Sequence, residues 1–73
     1  MKLNPIGPNQ TEVNFSDKTV FFSYKTPVAA FIPGTGYIKT SKKWSVTTSQ
    51  HISQWLKGCI ANEVDQSVLD SLV

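Results

Sequence analysis

The stretch KKWSVTTSQHISQWL, residues 42–56, carries the strongest structural signal in the chain. Thr47 is followed three positions later by Gln50, the capping-box spacing that satisfies two orphan amide donors at a helix start. Apolar side chains then recur at Ile52, Trp55, Leu56, Cys59 and Ile60, the stripe of a helix with one buried face. Gly58 falls within this stripe, at a penalty of about 1 kcal/mol relative to Ala, so it either ends the helix or allows close packing. A helix with one apolar face needs a surface to cover. The residues before it supply one.

Working back from Lys42, the chain alternates short apolar runs with turn signals. Thr19–Tyr24, reading TVFFSY, is β-branched and aromatic and is expected to form a strand. Thr11–Phe15 begins to alternate, and Ser16-Asp17-Lys18 is a plausible turn that would make the two segments a hairpin. Lys25-Thr26-Pro27 is expected to break the run, because proline cannot donate to a ladder. Val28–Ile32 is then the next strand, Pro33-Gly34-Thr35-Gly36 a turn, and Tyr37–Thr40 the returning strand. Working forward, Asn62 could cap a second helix with Val64, Val68, Leu69 and Leu72 on its apolar side. That helix would either fold back on the sheet or mediate self-association into a homo-oligomer.

The fold class expected is α+β: a small antiparallel β-meander of about four strands followed by one or two C-terminal helices. Residues 1–10, with Pro5, Gly7 and Pro8, are expected to be an extended N-terminal arm, ordered only if Leu3 and Ile6 dock. Residues 11–73 would form a single domain, since 73 residues leave room for one modest core. The opening MKLNPIGPNQ lacks the apolar core of a signal peptide, and no apolar run approaches the ~20 residues of a membrane span.

Net charge is +2, but it is unevenly spread. All seven basic residues are lysines within the first 57 positions, against only Glu12 and Asp17 there, which leaves +5. Glu63, Asp65 and Asp70 give the remainder −3. A basic body with an acidic tail fits an anionic partner, and equally a soluble surface with segregated charge. The absence of arginine counts against base-specific groove reading. A lone cysteine, Cys59, makes no internal disulfide, and one Cys with one His excludes the usual zinc sites. A reducing cytosol is the simplest setting.

The residues point away from an enzyme and call for no cofactor. His51 is the only imidazole, and Cys59 lies eight residues on, about 12 Å along a continuous helix, beyond the reach of a nucleophile–base pair. The polar opening of the helix is the candidate site. A helix start presents free amides and partial positive charge, which favour anions. Thr47, Thr48 and Ser49 add hydroxyls, Lys42 and Lys43 precede them, and His51 follows. These could hold a phosphate, while Tyr24, Tyr37 or Trp44 could stack on a base. The plainer alternative stays open: Thr47 only caps, Trp44 is core and the lysines are solvated.

Phe22–Leu56 resembles a widespread group of short phage and prophage proteins of unknown function. The resemblance is carried by an S-Y-x-T-P-V-A strand, here Ser23, Tyr24, Thr26, Pro27, Val28 and Ala29. It is carried also by an S-x-T-T-S-x-H-I-x-x-W-L helix, here Ser45, Thr47, Thr48, Ser49, His51, Ile52, Trp55 and Leu56. The resemblance implies a phage-encoded protein acting in the host cell cytoplasm, by binding rather than catalysis. Two partners remain in view: a nucleic acid or nucleotide, and a host protein such as a defence factor to be inhibited.

Overall fold

The computed structural model describes residues 2–7 and 9–73, with the side chain of Lys2 outside that description. The Met1 and Pro8 parts of the expected arm therefore lie outside the described residues. Six strands and two helices follow in the order β1 (Lys2–Gly7), β2 (Gln10–Asn14), β3 (Thr19–Ser23), β4 (Thr26–Ile32), β5 (Gly36–Thr40), α1 (Val46–Leu56), β6 (Ala61–Val64) and α2 (Gln66–Asp70). They build one sheet in the order β1-β2-β3-β4-β5-β6. Strands β2 to β5 form the expected antiparallel meander, β1 adds antiparallel to β2, and β6 pairs parallel with β5 after the α1 crossover. The strand number is thus six rather than about four. The helices are not both C-terminal to the sheet, because β6 lies between them.

Each departure has a physical cause. The proline-bearing N-terminal stretch pairs as β1 on the sheet's outer edge, opposite β2, where a missing amide is tolerated. Leu3 and Ile6 remain exposed, so this strand is held by backbone pairing and not by docked side chains. Pro27 does not end the ladder either. It pairs with Phe22 at a β-bulge, where the register shifts between Phe21 and Phe22 and leaves Val28 without a partner. The extra residue turns Val28 and Ala29 to the same side, and both are fully buried beside Phe21.

The register also decides between the two adjacent phenylalanines. Phe21 points to the face covered by α1, with Val28, Ala29, Ile52 and Trp55. Its ring stacks on Trp55 at 5.1 Å between centroids. Phe22 points to the other face, where Val20, Ala30 and Ile38 pack with Leu69 of α2. Val64 and Leu72 join that second cluster. The C-terminal apolar residues expected either to fold back or to join subunits therefore serve the chain's own core, leaving Val68 exposed.

Helix α1 begins two residues earlier than its spacing predicts. Ser45, not Thr47, is the N-cap: its backbone is extended and its hydroxyl accepts the Thr48 amide at 3.2 Å. At the other end Lys57 adopts the left-handed conformation, with Gly58 following at φ 84°. The chain then leaves the helix axis, so Cys59 is exposed and Ile60 is 92% exposed despite continuing the periodicity. Asn62 lies within β6, and Asp65 takes the cap position of α2. No helix among the described residues is long and apolar enough to cross a membrane.

Candidate functional site

The start of α1 is pinned to the end of β3 by a chain of hydroxyls. Ser23 is the last residue of β3 and only 2% exposed. Its Oγ donates to Thr48 Oγ1 at 3.2 Å and lies 2.9 Å from His51 Nδ1. Ser45 Oγ also donates to Thr48 Oγ1, at 3.3 Å, and accepts the Thr48 amide in return. In the Ser23–His51 contact the donor and acceptor roles follow the imidazole tautomer. Positions 48 and 51 sit on one side of a helix, which is why both reach the same strand residue.

Aromatic groups surround this polar pin. The tight turn Tyr24-Lys25 joins β3 to β4, and Tyr24 adopts φ 58° there. Its ring is half exposed and lies 6.1 Å from the His51 ring. Trp44 stands before the Ser45 cap, 37% exposed, so it is a surface residue and not part of the core. Its Nε1 donates to Gln66 Oε1 at 3.2 Å, while Gln66 Nε2 donates to the Pro27 carbonyl at 2.7 Å. Gln66 thereby ties Trp44 to both α2 and β4. The Lys42 ammonium lies 4.4 Å from the centre of the Trp44 ring. Between Trp44 and Tyr24 a cleft of about 280 Å³ opens, floored by Ser23, Val28 and Thr48.

The candidate residues thus separate into groups. Tyr24, Trp44, Thr48 and His51 converge on this cleft or its pin, with Lys42 over Trp44. Lys43, Thr47 and Ser49 are exposed at the same end of α1. Thr48 is buried, and its hydroxyl is engaged by Ser23 and Ser45 rather than turned outward. Tyr37 lies elsewhere, at the start of β5, with its ring edge-on to Trp55 at 5.7 Å and against Phe31 at 4.7 Å. It belongs to a separate groove with Trp55. The residues that sequence reasoning left out of the site are Ser23, Ser45 and Gln66. Ser23 carried a signal, since it is the one polar residue in the run VFFS, at a strand end facing the helix.

Ser23 is enclosed by its own partners, and no group of three His, Cys, Asp or Glu that could hold a metal occurs among the described residues. Cys59 is exposed beyond the far end of α1 from His51.

A model of DUF8033, a family of unknown function, matches residues 1–71. The chain belongs to that family. The match takes in β1 and α2, so the whole sheet and both helices of this DUF8033 protein fall within the family's span. No curated protein and no solved structure matches the chain.

Proposed function

We propose that this DUF8033 protein is a non-enzymatic binding module for a phosphate-bearing ligand, either a nucleotide or a nucleic acid. The observation that carries the reading is the convergence of Tyr24, Trp44 and Lys42 around the cleft at the start of α1. A half-exposed pair of aromatic rings offers a base two surfaces to lie against. The amides of Val46 and Thr47 precede the first intrahelical donor, the Ser49 N–H that bonds the Ser45 carbonyl, and belong to exposed residues, so they can meet a phosphate. Lys42, Lys43, Thr47 and Ser49 would contact the phosphate. Thr48 and His51 would hold the helix start in place through Ser23. The resemblance of Phe22–Leu56 to phage proteins suggests that the module is phage-encoded and acts in the cytoplasm of a host.

The test is binding of single-stranded oligonucleotides and of nucleotides, followed by anisotropy and competition across a salt series. Two phosphate contacts predict a slope of about −1.4 in log K against log salt for a single strand. Lys42→Ala with Lys43→Ala should flatten that slope. No binding of either probe at low salt ends the reading.

A second reading, inhibition of a host protein, is favoured by the free edge of the sheet. Among the described residues the outer strand β1 pairs with β2 alone, and Leu3 on it is 63% exposed. An extended partner segment could add to that edge. Capture of a host protein that survives nuclease and high salt would support this reading over the first.

A further inference from the structure

The α1 face of the sheet holds a second cavity, distant in role from the cleft at the helix start. Six strands spaced about 4.8 Å apart span roughly 24 Å, while one helix is only about 10 Å across. Helix α1 therefore cannot cover the whole face. Beside it runs a groove of about 590 Å³, twice the volume of the Trp44 cleft. Its boundary includes Glu12, Phe31, Tyr37, Gln54, Trp55 and Lys57.

Two features of this groove are unlike a mere gap. Glu12 faces it from β2, opposite Phe21 in the register, and its Oε1 accepts the Trp55 indole N–H at 2.9 Å. Among the described residues that carboxylate forms no ion pair, since the one pair present joins Lys18 to Asp17. A half-buried carboxylate that accepts from one neutral donor keeps its other lone pairs for a further partner. The second feature is a connected aromatic wall: Tyr37 meets Trp55 edge-on, and Phe31 packs against Tyr37. Aromatic faces with an adjacent carboxylate favour an organic cation, by ring quadrupole and ion pairing together.

We infer that the groove between Glu12 and Trp55 binds a small organic monocation, an ammonium or guanidinium carried on an apolar or aromatic body. Glu12 supplies the counter-charge, and Trp55 with Tyr37 supplies the surface for the body. Lys57 borders the same groove and disfavours a second positive charge. The volume falls within the range of small-molecule sites, about 300–1,000 Å³. This site does not depend on the phosphate reading, whose residues lie at the other end of α1.

The test compares benzylammonium with two probes of similar shape, neutral benzyl alcohol and anionic benzoate, on the full chain. The readout is the indole N–H resonance of Trp55, distinguished from that of Trp44 by the Trp44→Phe variant. The expected result is a saturable shift with benzylammonium that weakens by about tenfold or more with benzyl alcohol or benzoate. Glu12→Gln keeps an acceptor for the indole and should weaken benzylammonium binding to the level of the alcohol. Val68→Ala, at an exposed position of α2, which packs on the other face of the sheet, should leave it unchanged. Equal responses to the three probes would overturn the inference, as would wild-type affinity in a folded Glu12→Gln protein. No saturable shift with benzylammonium would overturn it too.

Discussion

The hydroxyl of Ser23 lies 2.9 Å from Nδ1 of His51, joining the end of β3 to the first turns of α1. Thr48 completes the junction from the same helix. Ser23 and Thr48 are both buried there, and each hydroxyl has the other as a hydrogen-bond partner. Removing one strands its partner away from water.

Ser23→Ala is therefore expected to cost about 1–3 kcal/mol, well above a typical surface change. Urea denaturation measures it directly. Combining Ser23→Ala with Thr48→Val should cost less than the sum of the single changes, because both lose the same contact. Strict additivity would show that the two hydroxyls act separately.

Capping distinguishes two neighbouring hydroxyl residues. Ser45→Ala removes the acceptor of the Thr48 amide and should cost about 1 kcal/mol. Thr47→Ala, at an exposed position inside the helix, should be neutral or slightly stabilising. The reverse order of midpoints would restore Thr47 as the cap.

The two phenylalanines should part company in the same assay. Phe21 is fully buried and stacked on Trp55, so Phe21→Ala is expected to cost about 3–5 kcal/mol. A chain of 73 residues has only about 4–11 kcal/mol in total, so this variant will be barely folded. Phe22 is half-buried at the bulge, and Phe22→Ala should cost clearly less. Equal losses would mean that the register places both rings alike.

What sequence made legible follows from which interactions are local. The meander from β2 to β5 could be read because apolar pairs and turn residues alternate within a few positions. The apolar stripe at Ile52, Trp55 and Leu56 was legible for the same reason. Strand β6 was not, since ANEV has one strong strand former in four residues and gains its order from β5. Nor could the sequence show that Pro27 sits at a bulge, because the bulge exists only once β3 is in register. The candidate site was half legible. Its helix-side residues follow from local spacing, whereas Ser23 reaches Thr48 across 25 positions and Gln66 reaches Pro27 across 39. Tyr37 was drawn to the wrong end of α1, because a ring's neighbours depend on tertiary placement.

The last prediction concerns the C-terminal helix. Leu69 is fully buried against Val20, Ala30 and Ile38, and Gln66 bridges Trp44 to Pro27 from the same short helix. A five-residue helix has no stability of its own, so α2 exists because its anchors are buried. Leu69→Ala should cost about 2–5 kcal/mol and should also loosen Trp44, whose hydrogen-bond partner rides on α2. The indole resonance of Trp44 should then move toward its unfolded position while that of Trp55 changes less. Val68→Ala, on the exposed side of the same helix, should leave stability and both indoles near wild type. If Val68→Ala instead lowered the mass in solution, α2 would be joining subunits after all. If Leu69→Ala left the Trp44 resonance in place, the bridge through Gln66 would not be what holds that ring.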